Sequence, residues 1–207
     1  MNLPNKITVA RIVMAIIILI MLVIPWHALG VTWATYDSVF GIALNNPISL
    51  KYIVAGILFM IASLTDRIDG QIARKRNMVT DLGKMLDAIA DKILVNGVLI
   101  ILAYDRIIPL LIPVVIITRD IITDTCKMVS GNKGKVVAAS WTGKIKTVFM
   151  MTGVTLAFFG NLPFELIHFD FTGLCLFIAT ILSLVSGCQY YFNTMAVLKE
   201  PNKKTTK

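Results

Sequence analysis

The sequence predicts an all-α, polytopic membrane protein whose six transmembrane helices form a single domain over residues 1–207. Of the 207 residues, 57% are hydrophobic and only 15% are charged, which is far from the usual composition of a soluble domain. Apolar runs recur along the whole chain, with lengths near the roughly 20 residues that a helix needs to cross a ~30 Å hydrocarbon layer. The 20 lysines and arginines occur in clusters between these runs.

Six apolar runs are candidates for the spanning helices. They lie at residues 7–25, 51–74, 81–104, 107–128, 145–161 and 172–195. Ser49 and Thr80 precede the second and third runs and are expected to act as N-caps. Pro47 and the glycines at 131–134 are expected to mark loops.

The basic clusters predict the orientation of these helices. They lie at residues 6–11, 74–84, 127–146 and 199–207, which all fall on one side of the predicted bundle. By the positive-inside rule that side is cytoplasmic. Both termini are then cytoplasmic, residues 1–10 as a short interfacial segment and residues 199–207 as a basic tail.

Three of the predicted helices are apolar in one half and charged in the other. The second is uncharged from Tyr52 until it reaches Asp66, and the fourth is uncharged from Ile107 until Arg119. The third reverses this order, because Asp91 comes before its uncharged stretch. At 1.5 Å per residue, Asp66, Asp91 and Arg119 each lie roughly 18 to 21 Å from the outer ends of their helices. The sequence therefore predicts a polar cavity that opens to the cytosol.

Four aspartates in the second and third helices carry the predicted chemistry. Asp66 and Asp69 are three residues apart, and Asp87 and Asp91 are four apart, so each pair projects from one face of its helix. Four unpaired acids at this depth would cost on the order of 10 kcal/mol. Hard divalent cations, Mg²⁺ or Mn²⁺, are the expected partners of such a carboxylate cluster.

Two glycines lie beside the aspartates, and a plainer interpretation remains open. Gly70 and Gly83 leave room for a ligand or for the partner helix, and Arg74, one turn after Gly70, can hydrogen-bond an anion. In the alternative, the aspartates form ion pairs with Arg67, Arg74 or Lys92 that only fix helix packing. That alternative accounts for the charges but not for four acids and two glycines in register.

Together these residues form one continuous pattern, which reads Asp66-x-x-Asp69-Gly70-x-x-Ala73-Arg74 and then Gly83-x-x-x-Asp87-x-x-x-Asp91. It resembles the complete signature of the CDP-alcohol phosphatidyltransferases, a family with a six-helix fold. The resemblance implies that two divalent cations are bound by the four aspartates, and that Asp91 is the catalytic base. It also implies that the CDP moiety is contacted by Asp69, Gly70, Ala73, Arg74, Thr80 and Gly83.

A second basic cluster indicates a phosphorylated acceptor. Arg119 lies at the depth of the cavity. The segment "GNKGKVVAASWTGKIKT" places four lysines among small and hydroxyl residues, namely Lys133, Lys135, Lys144 and Lys146, a composition suited to holding a phosphate. Two alternatives remain. Arg119 could pair with Thr123 or Asp124 on its own helix, since Asp120 points about 100° away, or the basic loop could contact anionic lipid headgroups.

Three further segments resemble one bacterial branch of the family, the phosphatidylglycerophosphate synthases: "NLPNKITVARI", "TRD" and "GKVVAASWTGKIKT". The acceptor of that branch is sn-glycerol 3-phosphate. The resemblance implies that the acceptor phosphate is bound by Arg119, Lys135, Ser140 and Lys144. It also implies an enzyme of the bacterial cell membrane whose partners are CDP-diacylglycerol, sn-glycerol 3-phosphate, membrane lipids and a second copy of the chain, without nucleic acid.

Two other functions are weighed against this one. Within the family, the acceptor could be inositol phosphate, serine or phosphatidylglycerol. From a different class, intramembrane acids that bind divalent ions could belong to a metal transporter. The transporter is disfavoured because the charges occupy only one half of each helix and no inverted repeat is visible.

Overall fold

The computed structural model of the chain describes residues 3–39, 42–75, 81–132 and 141–199, without the side chains of 3–6, 39, 42–46, 66–75, 81, 82, 84 and 132. Each of the six predicted runs coincides with one helix. The helices are α1 (Leu3–Val23), α2 (Leu50–Lys75), α3 (Asp81–Tyr104), α4 (Leu111–Asn132), α5 (Trp141–Phe158) and α6 (Phe171–Lys199). The prediction of a mainly α-helical protein is confirmed.

The segment between α1 and α2 was not predicted to contain a β-hairpin. Strands β1 (Thr35–Val39) and β2 (Ile42–Ser49) pair antiparallel, with Thr35 opposite Ser49. The prediction of a loop at Pro47 is wrong, because Pro47 lies within β2. A two-stranded sheet consists only of edge strands, where a proline need not donate a ladder hydrogen bond. Ser49 directly precedes α2, the position predicted for its N-cap.

Helix α4 begins and ends about one turn later than predicted. It starts at Leu111 rather than at residue 107, because Arg106 has a left-handed φ of 60° that breaks the helical path after α3. Its end at Asn132 includes Gly131, which the sequence placed in a loop. Residues 133 and 134 of that predicted loop lie outside the described residues.

The chain divides into two compact units, of which the first contains residues 1–108 and 154–171. In this unit α1 packs against both α2 and α3. Gly97 of α3 allows the close approach of α1, because a Cβ at this position would lie 2.6 Å from Leu19 Cδ2. Ile18 of α1, Phe59 of α2 and Leu99 of α3 are fully buried in the core. Helix α1 therefore contacts both helices of the aspartate pattern.

The second unit contains residues 109–153 and 172–207. Within it α4 and α6 run parallel, because Arg119 contacts Ser186 and, further along both helices, Ser130 contacts Thr194. The part of α5 that belongs to this unit runs antiparallel to α6: its Thr142 hydroxyl hydrogen-bonds Gln189 at 2.8 Å near its start, whereas Gly153 packs on Leu176. The core of this unit is unusually polar, with the following buried side chains: Thr123, Ser130, Lys146, Thr180, Ser183, Ser186 and Thr194.

Among the described residues, one helix is both long enough and apolar enough to cross a membrane, and this helix is α6. Shorter apolar stretches lie at Ile7–Val23 in α1 and at Leu50–Thr65 in α2. Large apolar side chains are exposed along the helices, including Ile17 of α1 and Phe177 of α6. Exposed apolar surface on this scale is unusual for a soluble monomer.

Candidate active site

The predicted signature residues lie on two uninterrupted helices. The first half of the pattern, residues 66–74, lies in the last part of α2, and Gly83, Asp87 and Asp91 lie on successive turns of α3. The side chains of residues 66–74 lie outside the described part of the chain, as does all of Thr80. The metal and nucleotide roles assigned there remain predictions.

The described half of the pattern, on α3, presents two accessible carboxylates. Asp87 and Asp91 are four residues apart and so lie on one face of the helix. The Asp87 side chain is 49% exposed, and Asp91 is exposed. Both groups are therefore accessible to a ligand rather than buried in the core.

Asp87 is held by an arginine from α1. Arg11 Nη1 donates a hydrogen bond of 2.8 Å to Asp87 Oδ1, across 76 positions of sequence. The arginine side chain is only 3% exposed, so this charge-assisted bond compensates a guanidinium that has left water. Arg11 thereby fixes one carboxylate oxygen and leaves Oδ2 without a partner among the described residues.

The donor chemistry of α3 suits a hard divalent cation. Two carboxylates one turn apart, with one of them oriented by an arginine, provide the oxygen ligands that Mg²⁺ and Mn²⁺ prefer. Among the described side chains, no group of three or more histidine, cysteine, aspartate or glutamate residues comes together. Asp66 and Asp69 lie outside this set, because their side chains are not described.

The second unit contains a charge cluster that links its three helices. We call Arg119, Asp120, Lys146 and Ser186 the buried cluster. Arg119 Nη1 donates to Asp120 Oδ1 at 2.8 Å, and Arg119 Nη2 donates to Ser186 Oγ at 2.6 Å. Lys146 Nζ donates to the same Asp120 Oδ1 at 3.0 Å. One carboxylate oxygen is thus shared by two cations.

Gly187 explains why Arg119 can lie across α6. A Cβ at this position would lie 2.9 Å from Arg119 Cγ, so a larger residue would displace the arginine stem. The Tyr190 ring, whose centroid lies 5.8 Å from Arg119 Cζ, contacts the guanidinium as well. The small residue and the aromatic ring therefore set the path of the arginine side chain.

The alternative in which Arg119 pairs with Thr123 or Asp124 of its own helix is not observed among the described residues. Arg119 bonds the adjacent Asp120, whereas Asp124 forms an ion pair with Lys127 at 3.8 Å. The Thr123 hydroxyl is buried and has no hydrogen-bond partner within the described part of the chain. The helical angle between adjacent residues did not decide the partner, because the arginine stem is long enough to bend toward Asp120, where Lys146 holds the carboxylate.

Three other residues were predicted to bind the acceptor phosphate, and the structure describes the side chain of one of them, Lys144. Lys144 is exposed, and its ammonium lies over the Trp141 ring, 5.3 Å from the centroid. Its neighbour Lys146, two residues later, is the lysine that enters the buried cluster. Lys135 and Ser140 fall in 133–140, outside the described residues. The phosphate-binding roles of Lys144, Lys135 and Ser140 remain predictions.

A family model described as CDP-alcohol phosphatidyltransferase matches residues 1–185. This chain belongs to the CDP-alcohol phosphatidyltransferase family. The resemblance predicted from the aspartate pattern, and with it the prediction of an enzyme, is confirmed.

Relatives of this CDP-alcohol phosphatidyltransferase match over nearly their whole length. A protein of Bacillus subtilis (strain 168) is 40% identical over 97% of this chain and 99% of its own. A protein of Mycoplasma genitalium is 34% identical over 98% of this chain and 88% of its own, and one of Rickettsia felis is 31% identical over 92% and 93%. All three are named CDP-diacylglycerol--glycerol-3-phosphate 3-phosphatidyltransferase.

Sequence reasoning missed three contacts of this CDP-alcohol phosphatidyltransferase. It counted Arg11 in the basic cluster at residues 6–11 and did not link it to Asp87, and it gave no role to Asp120 or to contacts with Ser186. The bond between Arg11 and Asp87 joins residues too distant for any helical spacing to reveal. The sequence signal was the presence of Arg11 near the start of the apolar run at residues 7–25, where a charge requires a partner.

Proposed function

We propose that the protein transfers the phosphatidyl group of CDP-diacylglycerol to sn-glycerol 3-phosphate, giving phosphatidylglycerophosphate and CMP in phospholipid synthesis. The observation that carries this proposal is the identity of 40% to the Bacillus subtilis protein over nearly both full chains. The buried cluster supports a phosphorylated acceptor, because it brings the guanidinium of Arg119 and the ammonium of Lys146 together at one carboxylate oxygen.

In the proposed reaction, the acceptor hydroxyl attacks the phosphorus of the phosphatidyl group. A new P–O bond forms, the bond to the bridging oxygen of the pyrophosphate breaks, and CMP leaves. Asp91 takes the proton of the hydroxyl as a positioned general base. Its exposed carboxylate on α3 supports this assignment, and Arg74 and the glycines of the pattern are assigned to the CDP moiety.

Asp66, Asp69, Asp87 and Asp91 would hold two divalent cations, Mg²⁺ or Mn²⁺. When bound, these ions neutralise the pyrophosphate and stabilise CMP as a leaving group. Arg11 would orient Asp87 by its bond to Oδ1 and would leave the second oxygen for the cation.

Arg11→Met is expected to lower the rate of CMP release about 10- to 100-fold, the effect typical of losing a group that orients a metal ligand. Methionine fills much of the volume of the arginine stem but cannot bond Asp87. The measurement is CMP release against Mg²⁺ concentration, in which the half-saturating concentration should rise. The control is Arg106→Lys on the exposed turn before α4. An unchanged Mg²⁺ dependence would contradict the orienting role of Arg11.

We further propose that all six helices span the membrane, with the active site and both termini facing the cytoplasm. The exposed apolar side chains of α1, α4 and α6, such as Ile17, Val114 and Phe177, support contact with lipid rather than with water. The basic clusters supply the orientation. In this arrangement CDP-diacylglycerol enters from the bilayer and sn-glycerol 3-phosphate enters from the cytosol. The predicted homodimer is part of the same proposal.

The test is CMP release by the purified protein in detergent with CDP-diacylglycerol and Mg²⁺. Separate reactions contain sn-glycerol 3-phosphate, inositol phosphate, serine or phosphatidylglycerol. Release with sn-glycerol 3-phosphate alone is the expected result. Release with another acceptor would retain the aspartate chemistry and overturn the acceptor assignment. If no acceptor gives release but the protein carries Mn²⁺ into liposomes, the transporter interpretation would replace the transferase.

A further inference from the structure

The buried cluster contains a carboxylate that neither the family signature nor the predicted acceptor residues include. The Asp120 carboxylate accepts hydrogen bonds from Arg119 and from Lys146. Its side chain is 22% exposed, against 12% for Arg119 and 4% for Lys146. The proposed acceptor site binds a phosphate. The negative charge of Asp120 would repel that phosphate, so the presence of this carboxylate in the cluster requires an explanation.

The distances explain how Asp120 can nevertheless favour binding of an anion. Arg119 Nη1 lies 2.8 Å and Lys146 Nζ lies 3.0 Å from the same oxygen, Asp120 Oδ1. Two cations on separate helices repel each other at such short separation unless an anion lies between them. Asp120 therefore brings together two positive groups that would otherwise move apart or turn to solvent.

The cluster retains buried donors after Asp120 is paired. Arg119 Nε has no hydrogen-bond partner among the described residues, and the same is true of the hydroxyls of Thr123 and Ser183. Thr123 lies one turn after Arg119 on α4, and Ser183 lies one turn before Ser186 on α6. Buried hydrogen-bond donors without partners are rare in the cores of native proteins. They are expected at a binding site, where a ligand supplies the acceptors.

We propose that Asp120 is a positioning residue of the acceptor site, which holds Arg119 and Lys146 on one carboxylate so that both cations bind the phosphate of the acceptor. This inference rests on the proposed function and names Lys146, rather than Lys144, as the second cation. Asp120 itself does not contact the phosphate. Its effect comes through the geometry of the two cations, which then discriminate a phosphorylated alcohol from a neutral one.

The direction in which Asp120→Asn changes the KM for sn-glycerol 3-phosphate distinguishes a positioning role of Asp120 from an effect of its charge. Asp120→Asn removes a negative charge, so a site governed by net charge would bind sn-glycerol 3-phosphate more tightly. If Asp120 acts by positioning, the KM for sn-glycerol 3-phosphate rises roughly 10- to 100-fold, as misplaced binding groups do, while the KM for CDP-diacylglycerol stays within about twofold. Asp120→Glu retains the carboxylate and should restore most of the affinity.

The double variant Asp120→Asn/Lys146→Met addresses the case in which Asp120→Asn alone does not fold. It removes one positive and one negative charge together, so the net charge of the cluster is unchanged and no buried lysine is left unpaired. Because Lys146 is a proposed phosphate-binding cation, a binding role of the cluster predicts a raised KM for sn-glycerol 3-phosphate here as well. A purely structural cluster predicts an unchanged KM in the folded protein.

The matched control is Asp124→Asn, which removes the same type of charge one turn later on α4, from the looser pair with Lys127. Its KM values should not change. A second readout, independent of turnover, is the rise in unfolding temperature that sn-glycerol 3-phosphate causes in the detergent-solubilised protein. The rise should be present in the wild type and in Asp124→Asn, and reduced in Asp120→Asn.

The outcomes separate this inference from the proposed function. A lowered or unchanged KM in both Asp120 variants would overturn the positioning role while leaving the enzyme identified. If the wild type uses another acceptor but sn-glycerol 3-phosphate still raises its unfolding temperature, the proposed acceptor fails and the Asp120 comparison still decides the site. If sn-glycerol 3-phosphate gives neither turnover nor stabilisation in the wild type, both are overturned.

Discussion

Asp91→Asn is expected to reduce CMP release by at least about 10³-fold, because the substitution removes the proposed general base, whose contribution alone is typically 10²- to 10⁴-fold, together with a proposed metal ligand. Asparagine has nearly the same shape as aspartate, but its amide neither takes a proton nor ligates a hard cation well. Asp91 is exposed on α3, so the helix should keep its packing. The measurement is CMP release with CDP-diacylglycerol, sn-glycerol 3-phosphate and Mg²⁺.

The control for this variant is Asp37→Asn, which makes the same chemical change at an exposed position of β1. It should retain wild-type activity. Thermal unfolding in detergent should give similar midpoints for the wild type and both variants. Full turnover by Asp91→Asn would remove Asp91 from the mechanism, whereas a lowered unfolding midpoint would assign the loss of activity to the fold.

Arg119→Ala is expected to raise the KM for sn-glycerol 3-phosphate about 10- to 100-fold. Hydrogen bonds to charged groups contribute about 1.5–3 kcal/mol, and each 1.4 kcal/mol corresponds to about tenfold in affinity. The proposed interaction is with the acceptor phosphate, so the KM for CDP-diacylglycerol should change little. The measurement is the initial rate of CMP release with each substrate varied in turn.

Lys127→Ala is the matched control for Arg119→Ala. Lys127 is a cation of the same helix, and its ammonium lies 5.5 Å from the centroid of the Tyr190 ring that Arg119 also contacts, but it is exposed and lies outside the buried cluster. Its removal should leave both KM values unchanged. Equal effects of the two variants would indicate general attraction of anions to a basic surface rather than a phosphate site at Arg119.

The sequence was sufficient to predict the helices, because each apolar run is long and its ends are marked by charge or by proline. It was insufficient for the hairpin at Thr35–Ser49, where short alternating stretches with Pro47 and Asn residues were read as a loop. A pair of strands is stabilised by contacts across the chain, and no local periodicity reveals the partner strand. The late start of α4 has a similar cause, since it depends on the left-handed conformation of Arg106.

Local spacing in the sequence determined the aspartate pattern and with it the family, because Asp87 and Asp91 must share a face of any helix that contains them. Only the tertiary structure decided which residues hold these groups. Arg11 reaches Asp87 because α1 packs against α3 through the gap at Gly97. Arg119 bonds Asp120 because Lys146 of α5 holds the Asp120 carboxylate and Ser186 of α6 accepts a second hydrogen bond from Arg119. Such contacts join helices distant in the chain, and the packing of small residues, rather than sequence spacing, fixes them.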